Sequence, residues 1–260
     1  HRSTADDVLS DQNLGGQVII VTGANTGIGF ETARALAAAG ASVIATCRSA
    51  EKAAATKQRM LQAHPDAAVE TAVMDLASLA SVSDFCRQLP HSTIDTIICN
   101  AGVVAPHYGE TREGFEQTVG VCHVGHFLLV KMLLDHLLRA PAPRVVMVSS
   151  ESHRTPSRLD FNALPYPEDK FRTMKAYGQA KLCNALMAVE LHRRYADQGL
   201  TACYLHPGTM VTTEIGRDSA LVRFAMRLAR PFTKTANQGA ATSVFCATRG
   251  QRDDLGGHYF

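Results

Sequence analysis

Val18-Ile-Ile-Val-Thr-Gly-Ala-Asn-Thr-Gly-Ile-Gly29 decides the fold. A short β-branched run, Val18–Val21, suits a buried strand, and the helical periodicity of Ile28–Ala39 begins where the glycines end. Glycine admits positive φ and lets a ligand approach the backbone. A helix opening behind such a turn offers unpaired N–H groups and the positive end of its dipole to a phosphate. Gly23, Gly27 and Gly29 are spaced as T-G-x-x-x-G-x-G, with Thr32 where a G-x-G-x-x-G pattern would put its last glycine. Strand, turn and helix together point to a dinucleotide site rather than an ordinary βα turn.

The rhythm continues outward. Apolar runs Ser42–Thr46, Val69–Met74, Ile94–Cys99, Arg144–Val148 and Thr201–Leu205 predict further strands, with a weaker seventh near Gly257–Phe260. Between them, Ala50–Ala63, Leu79–Leu89, Phe115–Leu138 and Met174–Tyr195 predict helices, and Gly40 stands where a helix C-terminal glycine is expected. Alternation of this kind implies an α/β fold: a single Rossmann-like, doubly wound parallel sheet with helices on both faces. The organisation expected is an amino-terminal extension over 1–15 and one domain over 16–260 that holds both cofactor and substrate sites. The segments Glu151–Lys170 and Thr209–Thr235 break the pattern beyond strand ends, where open parallel sheets bind ligands.

Composition narrows the function. The 260 residues are 46% apolar and 19% charged with a formal net charge of +2, which gives no basis for a nucleic-acid partner. Seven cysteines, none spaced C-x-x-C, fit a cytoplasmic or other reducing intracellular compartment. No stretch approaches the ~18–20 apolar residues that a membrane span needs, so no span is expected in this chain. The chain opens on His1 with a polar segment free of a signal-peptide pattern, so flanking domains or an anchor are expected to lie outside it.

Two features specify chemistry. After the second strand the chain reads Cys47-Arg48-Ser49, with no acid to bind a ribose 2′-hydroxyl. A guanidinium there can grip a 2′-phosphate, which favours NADP(H) over NAD. Tyr177 and Lys181 are one helical turn apart and share a face. Free phenols ionise near ~10; an ammonium alongside favours the phenolate and makes a tyrosine usable as acid or base. Ser150, ending the fifth strand, is placed to hydrogen-bond a substrate oxygen, with Ser149 the alternative if the register shifts by one. Cys122, His123 and His126 share one helix, but zinc normally takes three or four protein ligands and no further residue at suitable spacing joins them. A packing thiol and two ordinary histidines are expected, and no metal.

On Thr22–Gly29, Asp75-Leu76, Asn100-Ala101-Gly102, Ser149-Ser150, Tyr177–Lys181 and Pro207-Gly208 with Thr212, the chain resembles the short-chain dehydrogenase/reductase family over about residues 16–260. The resemblance implies Ser150, Tyr177 and Lys181 as catalytic residues. It implies a cofactor site built from Gly23, Asn25, Thr26, Gly27, Ile28 and Gly29 in the turn, with Arg48, Asp75 and Leu76 toward the adenosine. Asn100, Ala101, Gly102, Tyr177 and Lys181 would line the rest, and Pro207, Gly208, Met210 and Thr212 would border the nicotinamide. Ser149–Arg154, Lys181–Asn184, Glu190–Arg194, Leu228–Lys234, Gln238–Thr242 and Leu255–Gly257 look like the branch of retinol dehydrogenases and WW domain-containing oxidoreductases. That branch implies a hydrophobic alcohol, aldehyde or ketone, retinoid- or steroid-like. Relatives also pair through their fourth and fifth helices, which here are Phe115–Leu138 and Met174–Tyr195. One departure stands out: the family's asparagine in V-N-x-x-G-H-F is Cys122, where a thiol bonds poorly. A weakened proton relay follows as an expectation, and with it a rival reading, a cofactor-binding interaction module with weak or no turnover.

Overall fold

A computed structural model describes residues 3–156, 158–159, 168–208, 234–249 and 252–260. Six parallel strands form one sheet in the order β3-β2-β1-β4-β5-β6. They are β1 (Val18–Thr22), β2 (Ser42–Cys47), β3 (Val69–Val73), β4 (Thr96–Cys99), β5 (Arg144–Val148) and β6 (Thr201–Leu205). Strand side chains alternate between faces, and here both faces are apolar because both are covered. Ile19, Val21, Val43, Ala45, Val146 and Val148 join one core layer; Ile20, Ile44, Val145 and Met147 join the other.

Three helices, α2 (Gly27–Ala38), α3 (Ala50–Ala63) and α4 (Leu79–Gln88), follow the first three strands. Helices α5 (Gln117–Leu138) and α6 (Thr173–Tyr195) flank β5 in sequence. Gly40 adopts φ 97° just past α2, as a helix-ending glycine should. The strand order reverses between β1 and β4, which opens the ligand-binding crevice at their carboxyl ends.

Several features depart from expectation. Phe115–Leu138 is not one regular helix: it begins at Gln117 and passes through a π turn at Gly120–Val124 before α geometry resumes. Contrary to the absence of any span-length stretch, Gln117–Leu138 is long and apolar enough, by length and composition alone, to cross a membrane. The polar side chains of His123, His126, Lys131 and Asp135 are spread along it and mask its apolar character in the sequence. Leu129, Val130, Leu133 and Leu137 are buried in the sheet-facing core.

Within 1–15, Ala5–Leu9 forms a helix, α1, with a reciprocal Thr4–Asp7 capping box. It is tied down by the Asp6–Arg34 ion pair and by Asn237. The helix α7 (Ala236–Thr248) and a last short helix, Arg252–Leu255, complete the described elements. The seventh strand reduces to one parallel bridge, Tyr204 to Tyr259. Met210 and Thr212, and most of Thr209–Thr235, lie outside the described residues.

Candidate active site

The glycine turn is shaped by what its residues lack. Gly23 and Gly27 have φ 65° and 58°, where side chains are rarely tolerated. A Cβ at Gly23 would stand 2.9 Å from Ala101, and one at Gly29 would run into the Asn100 amide and the Gly23 carbonyl. Helix α2 starts at Gly27, and its N-cap, Thr26, makes no side-chain capping bond, so the first-turn N–H groups face the crevice uncapped. The cradle therefore fits a pyrophosphate. Ile28 contributes only backbone there, since its side chain is buried in the core. Arg59 on α3 steadies the turn from behind, donating to Asn25 O at 3.0 Å while lying over the Phe30 ring. The glycine motif alone gives no hint of Arg59.

Arg48 stands exposed at the end of β2. It borders a groove of about 740 Å³ that Asp75, Ser81 and Arg112 also line. Asp75 Oδ1 accepts from Ala77 N, and Asp75 N donates to Ser81 Oγ, each at 3.0 Å. The Leu76 side chain is turned into the core, leaving its backbone as the part that can face a cofactor.

Thr22 organises the floor of the crevice. Its Oγ1 accepts from Asn100 N and Ala101 N, and Asn100 Nδ2 returns a bond to Thr22 O at 2.8 Å. The same hydroxyl lies 2.8 Å from His126 Nε2, while His126 Nδ1 lies 2.9 Å from Cys122 O. A carbonyl can only accept, so Nδ1 carries the proton and Nε2 accepts from Thr22. Burial drives the His126 pKa down to about 3 and keeps the ring neutral.

Further along the crevice, Lys181 is buried and donates from Nζ to Val148 O at 2.9 Å, with Nζ 5.5 Å from the Tyr177 ring centroid. Gly102 comes up beside it: a Cβ there would be 3.5 Å from both Lys181 Nζ and Cys122 Sγ. Ser149 is buried with its hydroxyl committed to Lys181 O, whereas Ser150 is half-buried and caps the 3-10 turn Glu151–Arg154. The Ser150 hydroxyl bonds only within its own turn, donating to Ser152 Oγ at 3.3 Å and accepting from Ser152 N at 3.2 Å, and is the more exposed of the two. Gly178 lets this turn pack on α6, since a Cβ there would stand 2.8 Å from Ser152 O. Pro207 and Gly208, the latter at φ 108°, follow β6 at the same edge of the sheet.

The π turn holds the odd cysteine. Val103 N donates to Cys122 Sγ at 3.3 Å, and Sγ points back to Val103 O at 3.4 Å. Burial pushes the thiol pKa up. His123 Nδ1 pairs with Asn184 Oδ1 at 3.1 Å. Cys122, His123 and His126 are thus each engaged by protein groups, and no cluster able to hold a metal ion occurs among the described residues.

Comparison with known proteins shows the family. The family profile described as short chain dehydrogenase matches residues 17–162. The chain belongs to the short-chain dehydrogenase/reductase family, whose members bind nicotinamide cofactors. Within it the chain falls in the branch of WW domain-containing oxidoreductases and retinol dehydrogenases. It is 43% identical to the WW domain-containing oxidoreductase of Gallus gallus over 99% of this chain and 64% of that protein. It therefore spans just under two thirds of the length of that relative. It is 38% identical to retinol dehydrogenase 12 of Mus musculus over 94% of this chain and 77% of that one. A crystal structure of an uncharacterized protein from Mycobacterium Paratuberculosis superposes with a TM-score of 0.78 at 32% identity, covering 100% of this chain and 84% of its own.

Proposed function

We propose that this chain interconverts a hydrophobic alcohol and its aldehyde or ketone, using NADP(H) as the hydride partner. The observation that carries the reading is Lys181, buried at the crevice floor between Val148 O, the Tyr177 ring and Gly102. The turn Gly23–Gly29 would hold the pyrophosphate, with Asn25 and Thr26 lining it. Arg48 would hold the 2′-phosphate, and Asp75 and Leu76 the adenine edge. Asn100, Ala101, Gly102, Pro207 and Gly208 would line the remainder, with Met210 and Thr212 proposed from sequence alone. When bound, the nicotinamide supplies or accepts hydride. Tyr177 gives the proton to the substrate oxygen in reduction and takes it in oxidation. The Lys181 ammonium stabilises the charge that develops on the phenol oxygen as the proton leaves. Ser150 orients the substrate oxygen toward Tyr177.

The hydrophobic substrate class is supported by the retinol dehydrogenase relatives. Pairing of two copies is supported by the apolar groove of about 610 Å³ between α5 and α6, where Phe127 and Leu186 are half exposed. Ser150, Tyr177 and Lys181 do not line that groove, which sets it apart from the proposed substrate site. Cys122 favours a second reading, a cofactor-binding module with little turnover. A panel of apolar aldehydes and ketones offered with NADPH or NADH separates the two. Oxidation of NADPH in preference to NADH with at least one carbonyl supports the enzyme; tight NADPH binding without any consumption supports the module.

A further inference from the structure

After the helix Arg252–Leu255 the chain returns to the turn that follows Ser150. Leu255 is buried, and a Cβ at Gly256 would fall onto the His192 ring of α6. Gly257, at φ 73°, then turns the backbone so that it runs along β6. Phe260 N donates to Tyr204 O, and His206 N donates to Phe260 O. This register puts Tyr259 beside Tyr204, ring centroids 5.3 Å apart, and in front of the turn that follows Ser150.

Six contacts converge there. Tyr259 Oη donates to Glu151 Oε2 at 2.6 Å. His153 meets the Tyr259 ring edge-on at 4.9 Å and the Tyr204 ring at 5.8 Å. The same histidine lies with Nδ1 2.6 Å from Ser150 O, which can only accept. Arg154 lies 5.5 Å from the Tyr259 ring centroid and pairs with Glu151 at 3.1 Å. Ser150 itself is held by accepting from Ser152 N at 3.2 Å. Residues 151, 153 and 154 of the turn are thus gripped from outside, and the residue at its head is the one read as orienting the substrate oxygen.

We propose that Tyr259 is a positioning residue: bonded to Glu151 and packed on His153, it fixes the turn that presents Ser150. The proposal rests on the reading of Ser150 given above. Within the turn, Glu151 and His153 transmit the constraint, one through its carboxylate and the other through the Ser150 carbonyl. The hydrogen bond from Tyr259, with Arg154 nearby, holds the Glu151 carboxyl below the usual carboxylate range, so the acceptor stays ionised at neutral pH. Among the described residues the Tyr259 side chain meets Glu151, His153, Tyr204 and Arg154, and neither Tyr177 nor the glycine turn, so its loss acts on substrate geometry and not on cofactor grip.

The test compares wild type, Tyr259→Phe, Glu151→Ala, Glu151→Gln and the Tyr259→Phe/Glu151→Ala double variant. The probes are NADPH and whichever apolar aldehyde the wild type reduces. Tyr259→Phe keeps the ring and removes the donor. It is expected to lower kcat roughly tenfold, within the hundredfold that a misplacement of about 1 Å can cost. KM for the aldehyde should move less, and NADPH affinity and melting temperature should stay at wild-type values. Glu151→Gln retains an acceptor for Tyr259 and should recover part of the loss seen in Glu151→Ala. The double variant should be no slower than the slower single one, because both break the same bond. Wild-type kcat in Tyr259→Phe overturns the proposal, as do additive losses or a fall in NADPH affinity matching the fall in kcat. Turnover that Ser150→Ala abolishes and Tyr259→Phe leaves intact removes this proposal alone. Absence of any wild-type turnover removes the functional reading and the proposal with it.

Discussion

The glycine turn after β1 and the π turn in α5 both interrupt regular structure at the same crevice, by opposite means. In the first, Gly23 and Gly27 take positive φ and Gly29 leaves room for the Asn100 amide, so the shape follows from missing side chains. In the second, the flanking Val119 and Gly125 keep ordinary helical dihedrals, and the departure is a shift in bonding, with Gly125 N reaching Gly120 O. It is held by Val103, from a distant segment, on the Cys122 thiol, and His126, one turn further along the same helix, bonds the Cys122 carbonyl and reaches across to Thr22. Thr22 and His126 join the two, so the cofactor cradle and the π turn share one hydrogen-bond network. A backbone feature made by omission is written locally, whereas one made by distant partners is not.

The sharpest way to break the comparison is Gly29→Ala. The added Cβ meets backbone and a bonded amide, and overpacking of this kind costs about 1–3 kcal/mol. NADPH binding should be lost with the cradle geometry, read by fluorescence titration alongside melting temperature. An alanine variant that binds NADPH normally would mean that the turn is not the phosphate site.

Arg48→Ala tests the adenosine end without touching the turn. Loss of a charge-assisted bond worth roughly 1.5–3 kcal/mol should weaken NADPH about ten- to a hundredfold and leave NADH nearly unchanged. Equal NADH and NADPH affinities in the wild type would contradict the cofactor assignment.

The shared network has a pH signature. His126 folds with its pKa near 3, below the ordinary value of 6.5, because burial disfavours the cation. Its contribution to stability is complete above about pH 6.5 and is lost progressively as pH falls toward 3. Urea midpoints measured from pH 7.5 to 4.5 should therefore decline more steeply for the wild type than for His126→Gln. Parallel declines would remove His126 as the link.

Smallest is the effect of Cys122→Asn. If the thiol weakens a proton relay, the amide should raise turnover a few-fold, a fraction of the ~10²–10⁴ that full acid–base catalysis supplies. If the Val103 contacts have repacked the site around sulfur, the variant should melt lower and gain nothing, at about 1–3 kcal/mol for an unsatisfied buried amide. Lower turnover at unchanged stability would sink the relay account.

The same contrast explains what was legible in the sequence. The six strands and the cradle glycines were readable because periodicity and positive φ are local demands. Helix α7 went unread although Thr235 and Gln238 form a capping box, because Ala236–Thr248 has small residues on most sides and little periodic contrast. Helix α1 went unread because five residues carry too short a pattern. The π turn, the Thr22–His126 bond and the Tyr259–Glu151 bond join residues far apart in sequence, and no single segment encodes them. Ser150 was chosen over Ser149 from its place at the strand end, whereas the bond from the Ser149 hydroxyl to the Lys181 carbonyl joins distant segments and could not be read there.

The account turns on Tyr177 serving as proton donor within an NADP(H) site. NADPH affinity and turnover of an apolar aldehyde, measured together in the wild type and Tyr177→Phe, test this directly. The account predicts that the phenylalanine variant binds NADPH with near wild-type affinity and loses about 10²–10⁴-fold in turnover. Turnover surviving at the wild-type rate, with NADPH bound, would contradict it and move the acid to another residue.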